Sequence, residues 1–271
     1  MPKAFQPIPV PKFTLSQLVL ADLCAREIWN GTSYETGKEL EASDEELMHF
    51  FATPVFAIYN NPNSRQRFTE LDIRLLIRSA RLKALFQTSN GTDFKQGISA
   101  FKATAFQTYK GWKDGTLQLT AEGYATKATL DWSFKFVKNL NTTAATGNHR
   151  VPLANRILFF ALPDMLVFNF SNGLTKKMQL QSRPQAALPY FNKLLNEGLI
   201  RNDSLLSKFD MPQPTVLSET IWTAANNGGW WKRRVLDLAL LLHFGATSAT
   251  PSLQTQARQL AAQMRLASKK A

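Results

Sequence analysis

Nearly every apolar stretch of this chain repeats at the spacing of an α-helix, and few segments alternate apolar and polar residues as half-buried strands do. Residues 14–29 carry Leu15, Leu18, Val19, Leu23 and Ile28 at helical spacing, and Asn30-Gly31 supplies the stop. Residues 43–51 open with Ser43 and Glu46 at capping-box spacing, followed by an acidic first turn that suits the positive end of a helix dipole. Pro54 is expected to end that helix, because proline lacks the N–H that the next turn needs. Further helices are predicted over 65–86, 93–110, 126–140, 153–162 (stopped by Pro163), 189–197 (closed by Gly198), 230–244 and 253–271. From Val235 onward the 230–244 segment is apolar all round, which predicts a place at the centre of the core. Residues 111–124 read as a glycine-bearing loop or hairpin, 163–173 as irregular, and Pro212 and Pro214 as a connection. The fold class expected is mainly α: a globular, multi-helix fold.

Composition agrees with a packed globule. Apolar residues make up 44% of the 271 and charged residues 19%, outside the range of disordered chains. Nineteen Phe and six Trp fill a sizeable core. The one cysteine, Cys24, has no partner in the chain and sits among apolar residues, so a reducing, cytoplasmic setting is expected. No apolar run reaches eighteen residues, so no membrane partner is expected. Residues 1–12 hold four prolines and read as an extended arm.

Charge is unevenly placed. Residues 1–53 hold four Lys/Arg against eight Asp/Glu, a net of −4; residues 54–271 hold twenty-eight against twelve, a net of +16. The contrast suggests an N-terminal arm with an acidic helical segment over 1–60 and a basic region over 61–271. A field this basic attracts polyanions, and nucleic acid, above all double-stranded DNA, is the expected partner. Within it, Arg67, Arg74, Arg78 and Arg81 fall on one stripe of the 65–86 helix. A second cluster, Trp230-Trp231-Lys232-Arg233-Arg234, joins rings that stack on bases to cations that hold phosphates; its alternative reading packs the tryptophans inward and leaves the three cations solvated, and Asp237 is expected to pair with Arg233 or Arg234.

Several chemistries are excluded by pattern. His49, His149, His243 and Cys24 are scattered, with no pair at metal-ligand spacing. No P-loop, no GxGxxG and no GxSxG occurs, so no nucleotide cofactor and no serine hydrolase is expected.

Residues 139–173, NLNTTAATGNHRVPLANRILFFALPDMLVFNFSNG, are the most informative stretch. A polar, glycine-bearing loop runs through His149 and Arg150 into an apolar helix, then a proline stop and a second apolar run. A loop entering a helix N-terminus suits a phosphate, with His149, Arg150 and Arg156 adding charge. This segment resembles the hairpin and following helix of the helix-hairpin-helix DNA glycosylases, the 8-oxoguanine DNA glycosylase-like group in particular. That pattern has a lysine opening the helix, a proline, and an aspartate in the loop beyond. Here Arg150 stands at the lysine position and Asn169 at the aspartate position, nineteen residues later. The resemblance covers about 35 residues, with support from the helical 230–244 region.

It implies a DNA-binding protein of glycosylase-like fold that recognises a flipped or modified base, located with the nucleoid if it binds DNA, and a possible DNA N-glycosylase. Arginine stays protonated and cannot form a Schiff base, and asparagine cannot stabilise a developing sugar cation as a carboxylate does. An excision reaction therefore needs another carboxylate, and Asp164 in the same loop is the candidate. The alternative is a non-catalytic nucleic-acid-binding or acidic-partner-binding helical module.

Overall fold

In the computed structural model, residues 7–40, 42–60, 110–111, 114, 150–180 and 184–268 are described. Among them the protein is mainly helical, with no strand beyond an isolated antiparallel bridge between Thr32 and Glu39. The expected helices over 65–86, 93–110 and 126–140, the 111–124 loop and His149 lie outside the described residues, but for Lys110, Gly111 and Asp114. So does the stripe of Arg67, Arg74, Arg78 and Arg81.

Among the described residues eight helices are defined: α1 Leu15–Trp29, α2 Asp44–Asn60, α3 Arg150–Ala161, α4 Asn172–Lys177, α5 Pro184–Leu206, α6 Glu219–Asn227, α7 Trp230–His243 and α8 Pro251–Ala267. Thr14 caps α1 in a reciprocal capping box with Gln17. The expected box at α2 forms as well: Glu46 accepts from the Ser43 N–H at 2.7 Å, and Ser43 Oγ accepts from the Glu46 N–H at 3.0 Å. Pro54 does not end α2, which continues to Asn60. Burial of Phe51, Val55 and Phe56, on a helix that packs against α3, outweighs the ~3 kcal/mol that an internal proline costs.

Helix α5 also departs from expectation, since Pro189 and Gly198 both lie inside it. Gly198 is a crossing point rather than a stop. A β-carbon there would meet Val10 Cγ1 at 2.4 Å, so only glycine lets the N-terminal arm pass. The arm is then fastened to α5 by buried Asn202, whose Oδ1 accepts from the Phe13 N–H at 2.8 Å and whose Nδ2 donates to Pro11 O, and by exposed Arg201, which donates to Val10 O. The short helices α4 and α6 were not marked by apolar period. Each is started by a serine cap, Ser171 and Ser218.

Helix α7 is the central element, packed on α1, α5 and α6. Its first residues carry an aromatic cluster. Trp230 lies 4.9 Å from Phe159 and 5.9 Å from Trp29, and Trp231 meets Trp29 edge-on at 6.0 Å. Both indole N–H groups are satisfied, by Phe159 O and by Asp22. Leu253, Ala257 and Ala261 recur every fourth residue along the buried side of α8, which packs on α1. Residues 10–56 and 157–261 contribute to one core, so the acidic N-terminal segment is packed into the basic body rather than set apart from it. No helix among the described residues is long and apolar enough to cross a membrane.

Candidate functional site

A half-open cleft of about 390 Å³ lies where three parts of the chain meet. One wall is the turn after α1, with Ser33, Tyr34 and Glu35. A second is α3 with the segment beyond it: Pro152, Arg156, Asn169, Phe170 and Ser171. The floor is the α7 face that presents Arg234, Leu238 and Leu241 at spacings of four and three, one side of a helix.

The first wall is held from two directions. Gly31 and Gly37 both take positive φ, +83° and +68°, and between them the chain folds into a tight turn closed by Ser33 N–H to Lys38 O at 2.7 Å. Tyr34 Oη donates to Thr247 Oγ1 at 2.9 Å, and Thr247 in turn donates to Glu35. Burial pushes the Tyr34 hydroxyl up to about 12, so it stays protonated and keeps donating.

Beneath the floor runs a chain of charges. Arg234 Nε donates to Asp44 at 2.7 Å, and Arg234 Nη1 donates to Asp237 Oδ2 at 2.9 Å. The same Asp237 oxygen accepts from Asn169 Nδ2 at 3.1 Å. Burial pushes the Asp237 carboxyl above its ordinary range, opposed by Arg234, Asn169 and Arg156. Arg156 therefore sits close enough to act on Asp237 while forming part of the cleft wall. The link explains the residue at 169: an aspartate there would set two carboxylates about a hydrogen-bond length apart, where only one can ionise freely. Asparagine supplies a donor instead.

The cleft gathers some of the sequence candidates and leaves others out. Arg156 and Arg234 line it, while Arg150 opens α3. Lys232 is one-third exposed but turns away, donating to Asp203 at 2.8 Å and Ser207 at 2.7 Å. Arg233 and Arg234 are not surface phosphate contacts, being 1% and 4% exposed. On central helix α7 both point into the body, where their N–H groups meet carbonyls and carboxylates. Arg233 donates to Gly228 O at 2.5 Å and Pro163 O at 2.7 Å. Burial pushes its guanidinium down to about 9, with the Asp164 charge acting in the opposite direction.

Asp164, the candidate catalytic carboxylate, is 7% exposed beside Arg233 and is not part of the cleft lining. Its backbone packs against Gly228, whose added β-carbon would lie 2.4 Å from Asp164 Cα. That setting gives Asp164 a place in the junction between the α3–α4 segment and the α6–α7 turn, not one facing a substrate in the cleft.

Sequence reasoning passed over Tyr34, Glu35 and the coupling of Asn169 to Asp237. The two glycines flanking the 33–35 turn were the available signal; the coupling joins residues 68 apart and has none. Among the described residues no group of His, Cys, Asp and Glu is arranged to hold a metal ion. Comparison with known protein families, characterised proteins and solved structures finds no match.

Proposed function

We propose that this protein binds nucleic acid, double-stranded DNA above all, and takes an unstacked base into the cleft beside Asn169 without a lyase step. The observation that carries the reading is a coincidence of position. Asn169, where the resembled glycosylases have their aspartate, lines the cleft, and Arg150, at their lysine position, opens the helix that forms its wall.

Charge supports a base rather than a phosphate as the group taken in. Arg156 and Arg234 are set against Glu35 in the lining and against Asp44 and Asp237 just beneath, so the cleft offers no surplus of positive charge to a phosphate. A neutral base with a hydrogen-bonding edge matches it better. The backbone is left to the protein's net charge of +12, including exposed Lys176 and Lys177 at the end of α4, just beyond Ser171 of the cleft wall.

Binding and inspection are favoured over excision by the same residues. Arg150 cannot form a Schiff base, and Asp164 stands outside the cleft.

Fluorescence anisotropy with a labelled duplex, intact or carrying a single bulged nucleotide, tests the reading at low salt. Tighter binding of the bulged duplex is expected, because an unpaired base is extruded at lower cost. Release of free base during the same incubation would extend the reading to excision. Failure to bind duplex or single strand at low salt would overturn it in favour of an acidic protein partner.

A further inference from the structure

We infer that Asp237 and Asn155 are positioning residues that fix Asn169 so that its amide carbonyl accepts a hydrogen bond from an N–H of the base in the cleft; this rests on the reading just proposed.

The orientation of the amide follows from what each partner is able to do. Arg234 is a donor only, so the Asp237 Oδ2 that it touches at 2.9 Å must accept. The guanidinium charge against Oδ2 keeps a proton off that oxygen, so the group of Asn169 that meets it at 3.1 Å is the NH₂. Any proton that burial brings to Asp237 belongs on Oδ1, which has no hydrogen-bond partner among the described residues. Either way the Asn169 nitrogen is committed inward, and its carbonyl oxygen is left to the cleft that the side chain lines.

The backbone beside it is held as firmly. The Phe170 N–H donates at 2.7 Å to Oδ1 of Asn155, a residue 1% exposed, and the Phe170 ring is buried against Phe191 at 5.0 Å. A flip of the Asn169 amide would set its carbonyl oxygen against Asp237 Oδ2, two acceptors facing each other, while Asn155 keeps the backbone beside it in place. Arg234, clamped between Asp44 and Asp237, lines the same cleft as a fixed donor. A preset acceptor together with a preset donor complements the amide or amidine edge of a nucleobase. Neither complements an apolar group of the same shape.

The test compares two duplexes: one with a single bulged thymidine, the other with a bulged difluorotoluene nucleoside, which keeps the shape and loses the N–H. Wild type is expected to favour thymidine about ten-fold, within the range for one good base contact. Asn169→Ala should bring the two affinities together while keeping affinity for the difluorotoluene duplex. Asp237→Ala should do the same, and Asp237→Asn, whose carbonyl still accepts from Arg234 and Asn169, should restore the preference. Should Asp237→Ala fail to fold, the half-buried Asn169 variant carries the test. Equal affinity of wild type for both duplexes, or a preference that survives Asn169→Ala, overturns the inference while duplex binding itself stands. Loss of all duplex binding by wild type instead overturns the reading beneath it.

Discussion

Gly228 passes so close to Asp164 that a β-carbon on the glycine would lie 2.4 Å from Asp164 Cα and 2.8 Å from its carbonyl oxygen. The contact is backbone against backbone, so no side-chain rotation relieves it. Arg233 then ties the two strands of chain together by donating to Gly228 O and Pro163 O. Gly228→Ala should therefore lower stability by about 2–3 kcal/mol, the upper part of the usual range for overpacking, read as a fall of several degrees in the melting temperature. Its neighbour Gly229 has open space around it and φ of +67°, so Gly229→Ala should cost only about 1 kcal/mol, from backbone strain alone. Equal melting temperatures for Gly228→Ala and wild type would remove the close approach as a constraint.

Glu45 holds the 215–217 segment to α2. Its carboxylate accepts from the N–H groups of Thr215, Val216 and Leu217 at 2.5, 2.7 and 3.0 Å, and from the Thr215 hydroxyl at 2.7 Å. Burial pushes the carboxyl up, but these four hydrogen bonds together outweigh it and hold the group below 4.5. A folded-state value below the unfolded one stabilises the fold above the unfolded value and is lost as pH falls through the folded value. Chemical denaturation from pH 7 downward should show this component disappearing below about pH 4.5. Glu45→Gln should be less stable by about 1–3 kcal/mol at pH 7 and flatter through the acid range. An unchanged acid slope in the variant would rule Glu45 out as its source.

Arg234 and the Lys176–Lys177 pair should separate stability from binding. Arg234→Ala leaves Asp44 and Asp237 buried without their shared cation, and a loss of about 3–5 kcal/mol is expected from breaking a buried ion pair on one side. Calorimetry reads this directly. The double substitution Lys176→Ala and Lys177→Ala touches exposed side chains and should leave melting near wild type. In duplex binding it should make the slope of log K against log salt shallower by up to ~0.9 for each phosphate contact removed. A salt slope unchanged by the double variant would place the backbone contacts elsewhere on the protein.

The amino-acid sequence by itself determined what local physics can specify. Helical period, the Ser43 capping box, the Pro163 stop and the all-round apolar character of 230–244 from Val235 onward all act within a few residues, and each is found as read; the Thr14 box, equally local, was passed over. That Asp237 pairs with Arg233 or Arg234 was also legible, because residues three and four apart on a helix are neighbours, and the structure selects Arg234. Only tertiary structure decided what the same residue types do at a distance. Pro54 and Gly198 carry strong local signals for ending a helix and Pro189 for starting one, yet packing carried both helices through them, and at Gly198 the reason is Val10, 188 positions away. Trp230, Trp231, Arg233 and Arg234 read as a nucleic-acid patch because charge and aromaticity are visible in sequence and burial is not. Once α7 is enclosed by α1, α5 and α6, the guanidiniums turn to carboxylates and carbonyls inside the body, since buried charge is stable only when partnered. The cleft is legible least of all: Tyr34, the Arg156–Asn169 wall and Arg234 come from three separate parts of the chain, and only the closing of the core brings them to one place.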